Sequence, residues 1–157
     1  MPPRSPTKRR PRLLAIASGG GHWIQLRRLR GAFADADVTW ASVDPASAGD
    51  VAPEPFRRVP DSNRDAKFAV VRSALSVLWI LATVRPDVVV TTGAAPGLLA
   101  VRLGRLFGAR TLFLDSVANA EELSFSARLA EGRASAVWTQ WPHLARDGGA
   151  QYRGAVL

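Results

Sequence analysis

Five short apolar runs set the architecture: "LLAIA" at Leu13–Ala17, "VTWASV" at Val38–Val43, "DVVVTT" at Asp87–Thr92, "ARTLFLD" at Ala109–Asp115 and "ASAVWTQ" at Ala134–Gln140. They are nearly continuous in apolar character, as strands buried on both faces must be. Between them lie stretches with helical spacing. His22–Phe33 carries Trp23, Leu26, Leu29 and Phe33 close to one stripe. Asp65–Val84, Leu98–Phe107 and Glu121–Glu131 also read as helices. Asn63 or Asp61 supplies a candidate N-cap for the second, and Arg85-Pro86 ends it, because a residue before proline avoids the helical region. Residues 44–64 read as loop, with a short strand around Phe56–Val59. Gly93–Gly97 reads as a turn, Gly108 ends the helix before it, and Trp141-Pro142 closes the last strand. This alternation predicts an α/β fold, a Rossmann-like doubly wound parallel sheet.

With 157 residues, 47% of them hydrophobic and 22% charged, the chain suits one such domain with a packed core. It has no cysteine and only two histidines, far apart, so neither a thiolate nor a His-based metal site is expected. The net charge is +8, yet Arg4, Lys8, Arg9, Arg10 and Arg12 lie within the first twelve residues, which hold no acid. The domain proper is therefore only mildly basic. With Pro2, Pro3, Pro6 and Pro11 in the same stretch, residues 1–11 read as a disordered basic arm, and 12–157 as a single domain. No aromatic-interleaved basic stripe supports a nucleic-acid partner. The run Leu13–Ala17 is too short for a secretory signal, so a cytoplasmic location is expected.

The helix at 65–84 is apolar around its circumference, and between Phe68 and Val84 it carries one charge, Arg72. The run falls short of the roughly 20 consecutive apolar residues of a membrane span. Its outer side faces either ordinary protein or a membrane or partner surface, and composition leaves these open.

Three strand ends carry candidate chemistry. At Ser18-Gly19-Gly20-Gly21-His22 a strand meets a helix start, where free N–H groups and the helix dipole favour an anion. The loop lacks the Gly-Lys-Ser/Thr of a P-loop. It also has Ile24 where the dinucleotide fingerprint needs a third glycine, so hydride chemistry is disfavoured. A plain tight turn needs fewer glycines, which favours an anion site. His22 beside it is a candidate base or phosphate ligand, or else a packing partner of Trp23. At Thr92-Gly93 through Gly97 a second loop enters a helix and suits a sugar or phosphate. At Asp115-Ser116 through Asn119 a carboxylate at a strand end can serve as a base or bind hydroxyls, or simply cap a turn. His143 has no evident acid partner.

The segments "SGGGHWIQL", "VVTTGAAPG", "DSVANAEELSFSARL" and "QWPHL…QYRGAVL", in that order, resemble the membrane-anchoring, acceptor-side subunit of the two-part UDP-N-acetylglucosamine transferase of dolichol-linked oligosaccharide synthesis. They resemble still more its bacterial exopolysaccharide and capsule glycosyltransferase counterparts. The resemblance runs from about Arg12 to Leu157. It implies the N-terminal half of a GT-B glycosyltransferase, with a second subunit carrying the donor-binding domain and joining near "YRGAVL". It further implies a lipid-linked saccharide acceptor, a UDP-sugar as co-substrate, no other cofactor, and no activity without the partner chain. Catalytic roles then fall to His22 and Asp115. Substrate or phosphate contacts fall to Ser18, Gly19, Gly20, Gly21, His22, Thr92, Gly93, Gly97, Ser116 and Asn119. Many relatives carry glutamate where Asp115 stands, so its reach is shorter here. Eukaryotic relatives begin with a membrane-spanning helix; the polar arm here implies peripheral contact with the inner face of the plasma membrane. Two rival readings are a non-catalytic membrane scaffold for a catalytic partner and a stand-alone nucleotide-binding enzyme.

Overall fold

The computed structural model describes residues 9–61 and 67–156. Seven strands form one sheet: β1 (Arg12–Ile16), β2 (Asp37–Ser42), β3 (Phe56–Arg58), β4 (Val88–Thr91), β5 (Arg110–Leu114), β6 (Ala136–Thr139) and β7 (Gln151–Tyr152). Their order is β3-β2-β1-β4-β5-β6-β7 and every pairing is parallel. The helices are α1 (Gly20–Arg28), α2 (Ala48–Val51), α3 (Lys67–Val84), α4 (Ala94–Leu106) and α5 (Phe125–Ala130). This is the doubly wound arrangement expected of alternating strand and helix patterns.

Strand β1 shows why both faces are covered. Leu13, Ala15 and Ala17 point to one side and pack with Trp23, Leu26, Phe33, Trp40 and Val51. Leu14 and Ile16 point to the other and pack with Val77, Ile80 and Leu81 of α3 and with Ala100 and Val101 of α4. The first layer is stiffened by aromatic edges. Trp23 stands edge-on to Trp40 at 5.7 Å and to Phe56 at 6.1 Å. The indole N–H groups of Trp23 and Trp40 donate to Asp50 and Glu54, at 2.9 and 2.6 Å. Arg27 and Arg30 pair with the same two acids, which fastens the segment holding α2 to the sheet.

Several boundaries differ from the sequence reading, each for a local reason. Helix α1 starts at Gly20, two residues before His22, because Gly20 takes φ +63° and turns the chain directly into the helix. Helix α4 starts at Ala94, so most of the expected turn is its first turn. Helix α5 starts only at Phe125, where Ser124 caps it by accepting from the Ala127 N–H at 3.0 Å. Strand β7 has two residues and follows Gly148-Gly149, too short to leave a hydrophobic period. The cap candidate Asn63 and most of the basic arm lie outside the described residues. The sequence reading put the apolar run short of a membrane span, but helix α3, 18 residues with a mean hydropathy of 1.6, reaches that length and apolarity because Lys67 through Val84 form one unbroken helix. Its Ser73, Val77, Ile80 and Leu81 nevertheless sit buried against the sheet.

The described end of the arm lies against the domain. Arg9 donates to Asp87 at 2.9 Å, and the Arg12 N–H donates to the other oxygen of that carboxylate at 2.8 Å. The Arg9 hydrogen bond, then that of the Arg12 backbone, lowers the Asp87 carboxyl to about 2. A depressed carboxyl stabilises the fold above its ordinary value of 3.8 and loses that contribution as pH falls toward 2. Asp87→Asn should flatten this part of the acid limb of stability, read by denaturation at stepped pH. Packing yields a second expectation. A Cβ on Gly97 would lie 1.9 Å from Thr91 Oγ1, whereas one on Gly21 would meet nothing within 4 Å. Gly97→Ala should cost about 1–3 kcal/mol in denaturant unfolding, and Gly21→Ala should be neutral or stabilising.

Candidate functional site

Strands run outward from β1 through β2 and β3 on one side and resume at β4 on the other. This reversal leaves a crevice at the carboxyl ends of β1 and β4, where ligands of such sheets bind. The loops after those two strands are Ser18–His22 and Thr92–Gly93, both singled out from the sequence.

At the first loop Gly19 is extended (φ −73°, ψ −171°) and Gly20 enters α1. No side chain caps this helix and no acid lies in its first turn. Its leading N–H groups are therefore left for solvent or an anion. Gly20 and Gly21 are exposed, and Ser18 is half-buried with only a long 3.5 Å contact to Gly19 O. Asp44 flanks the loop, its carboxylate accepting from the Ala46 N–H.

Two reciprocal bonds join the loops. The hydroxyl of Thr92, fully buried, donates to His22 O at 2.6 Å. In return His22 Nδ1 lies 2.8 Å from Thr92 O. A carbonyl can only accept, so Nδ1 carries the proton and Nε2 is left bare in the neutral ring. Nε2 has no hydrogen-bond partner among the described residues. The ring lies over Gly93, where a Cβ would come within 2.9 Å of it. Gly93 also takes φ +129°, and the next residue, Ala94, is held at φ +62°. Such backbone strain gathers at functional loops. Gly97 serves packing instead, letting α4 close onto Thr91.

The third loop is spoken for internally. Asp115 is 2% exposed. Its Oδ1 accepts from the Ser116 N–H and from Asn119 Nδ2, and its Oδ2 from the Ser124 N–H. Ser116 Oγ accepts from Gln25 and from the Ala118 N–H. Asp115, Ser116 and Asn119 thus shape the loop from within, and a buried carboxylate so engaged is poorly placed to take a proton from a substrate.

Two residues were missed from the sequence, Gln25 and Gln140, both buried. Gln25 Oε1 accepts from the Val117 N–H at 3.1 Å and from Gln140 Nε2 at 2.7 Å. Gln140 also donates to Asp115 O and accepts from the Val156 N–H at 2.7 Å. Amides connect α1, the loops after β5 and β6, and the terminal segment. The one available signal was a lone amide between apolar neighbours, at Ile24-Gln25-Leu26 and at the end of "ASAVWTQ". His143 donates to Ala120 O and Trp141 to Val117 O, so both hold the same loop in place.

Shallow recesses lie away from these loops. One of about 550 Å³ opens at the amino ends of the strands beside Arg10, Arg12 and Arg57. Among the described residues no cluster of His, Cys, Asp or Glu assembles a metal site.

The model of the family "Oligosaccharide biosynthesis protein Alg14 like" matches residues 53–156, most of the chain. The chain belongs to the Alg14-like family. The second and third loops and the terminal segment fall inside the matched span, while the glycine loop precedes it and rests on its geometry. No curated protein matches the Alg14-like chain. Among solved structures it is similar to MurG from Acinetobacter baumannii, with 14% identity and a TM-score of 0.73, covering 90% of this chain and 45% of MurG. It is similar also to the UDP-N-acetylglucosamine 2-epimerase from Rickettsia bellii (13%, 0.67, 86% and 40%). The corresponding epimerase from Methanocaldococcus jannaschii gives 14%, 0.61, 82% and 39%. At such identities the likeness shows the fold, one Rossmann-like half of a GT-B protein. The chain spans less than half the length of each. Family and fold together give it a glycosyltransferase-related role in oligosaccharide biosynthesis.

The His22 tautomer can be checked directly. Nitrogen-15 NMR of the neutral imidazole should show a protonated Nδ1 and a bare Nε2; the opposite assignment would contradict the Thr92 contact.

Proposed function

We propose that this chain is the acceptor-side subunit of a split, inverting glycosyltransferase. It joins a second subunit carrying the donor-binding domain and works on a polyprenyl-diphosphate-linked saccharide at the inner face of the plasma membrane. The observation that carries this reading is the open crevice at the β1/β4 reversal. An uncapped helix start and a bare imidazole nitrogen meet there, in a member of the Alg14-like family. The relatives named for UDP-N-acetylglucosamine support a UDP-sugar as the donor.

In this reading the first turn of α1 receives the acceptor's diphosphate, where N–H groups and the helix dipole offset its charge. His22 Nε2 takes the proton of the acceptor hydroxyl as that oxygen attacks the anomeric carbon. The bond from the sugar to the UDP phosphate breaks on the opposite side, and UDP departs with the electron pair. The Thr92 carbonyl keeps the imidazole in the accepting tautomer and stabilises the charge it gains. Asp115 is a positioning residue in this scheme. The segment 153–156, tied to Gln140, forms part of the partner-facing edge.

The test is an assay of the assembled complex with UDP-sugar and lipid acceptor. The single chain should show no turnover. His22→Ala in the complex should lower kcat about 100-fold or more while assembly persists. Gly21→Asp places a carboxylate in open space at the helix start, which favours the helix but repels an anion. It should raise the acceptor KM without loss of stability. Turnover by the single chain would refute the split arrangement. Full activity of both variants would make the loop structural and the chain a scaffold.

A further inference from the structure

The second strand ends level with the glycine loop. Ile16 of β1 pairs with Ala41 of β2, and the Ala17 N–H donates to Ala41 O at 3.1 Å. Carried on by three residues, that register sets Asp44 beside Gly19. A Cβ on Gly19 would indeed lie 3.7 Å from the Asp44 Cβ. Asp44 is exposed, yet its carboxylate is held in place. Its Oδ1 accepts from the Ala46 N–H at 3.0 Å, and its own N–H donates to the buried Ser42 hydroxyl at 3.4 Å. Pro45 follows with its fixed φ. The chain beyond is fastened to α1 and β2 through Asp50 and Glu54. The other oxygen, Oδ2, has no hydrogen bond or ion pair among the described residues. A fixed carboxylate with one open oxygen thus stands on the β2 flank of the loop, while the bare nitrogen of His22 stands on the β4 flank.

That oxygen restricts what can occupy the loop. An ionised carboxylate accepts from hydroxyls and repels a second anionic group. Sugar hydroxyls are donors that bring no charge of their own. In dinucleotide-binding sheets an acid about 20 residues beyond the glycine loop takes ribose hydroxyls. Asp44 stands in the corresponding place, although the glycine pattern here is a different one. We propose that Asp44 is a specificity-determining residue of the crevice. Its Oδ2 accepts hydrogen bonds from hydroxyls of the sugar ring joined to the phosphate that the α1 start holds. The ligand class is a sugar phosphate or sugar diphosphate whose ring turns a hydroxyl, and no further charge, toward the β2 flank. The proposal rests on the acceptor-side reading, in which that ring is the first sugar of the lipid-linked acceptor.

The test titrates the full chain with methyl phosphate and with the 1-phosphates of glucose, galactose and N-acetylglucosamine, followed by NMR at the Gly19–His22 amides. At least one sugar phosphate should bind about tenfold more tightly than methyl phosphate. Asp44→Ser keeps a side-chain oxygen for the Ala46 N–H but removes the outward one. It should erase that advantage, while methyl phosphate binds as before or more tightly because the repelling charge is gone. In the assembled complex the same variant should raise the acceptor KM about tenfold and leave the UDP-sugar KM unchanged. The proposal is overturned if no sugar phosphate binds more tightly than methyl phosphate, or if the advantage survives in Asp44→Ser. It is overturned equally if both ligands weaken together, which would make Asp44 a structural cap only. A rise in the UDP-sugar KM in place of the acceptor KM also overturns it, since the hydroxyls would then be the donor's. The two readings fail separately. A complex inert on every lipid acceptor, with the sugar advantage present in the parent and lost in Asp44→Ser, would sink the proposed function and leave the hydroxyl contact standing. Transfer by Asp44→Ser at the parent's acceptor KM would do the reverse.

Discussion

Strand β1 is hydrogen-bonded on both edges, to β2 and to β4, and packed on both faces. Its buried stretch, Leu13–Ile16, is apolar throughout, and the backbone N–H and C=O groups there are paired with the neighbouring strands. The chain regains free backbone donors only where β1 ends, at the glycine loop. The chain leaves β1 to one side through β2 and β3 and resumes on its other side at β4, so that loop opens beside the loop after β4. The crevice follows from this one strand's position.

What turns neighbouring loops into one surface is a chain of polar contacts. His22 and Thr92 clasp the first two. Gln25 reaches from α1 to the third, and Gln140 carries the connection to the terminal segment. Buried amides are tolerable only when bonded, and each amide oxygen here accepts from a named donor. Side chains that were equally eligible for chemistry by sequence therefore separate. His22 keeps a nitrogen bare, while Asp115, Ser116 and Asn119 are used by their own loop.

The fold was legible because burial on both faces writes itself into composition: "LLAIA" and "DVVVTT" can hardly be read otherwise. The glycine loop was legible for a related reason, since its backbone geometry excludes most side chains at Gly20. The rest was hidden by distance. Nothing in "QWPHL" announces that Gln140 will meet Gln25, more than a hundred residues earlier in the chain. An aspartate at a strand end looks alike whether its oxygens face a substrate or its own loop. Helix starts shifted by a few residues because the cap at Ser124 and the closure of Gly97 onto Thr91 are tertiary facts. The apolar circumference of α3 was plain from sequence, but which half of it met the sheet was not.

The glycines around the crevice differ in what they tolerate over evolutionary time. Gly20 is bound to its residue type by backbone angle, Gly93 by angle and by the imidazole above it, and Gly97 by the hydroxyl beneath it. Gly19 and Gly21 carry no comparable restriction from the protein itself. Drift at those two positions is therefore limited only by whatever occupies the crevice. Under the proposed function, variability at positions 19 and 21 among related chains would record ligand size and charge, while invariance at 20, 93 and 97 would say nothing about the ligand at all.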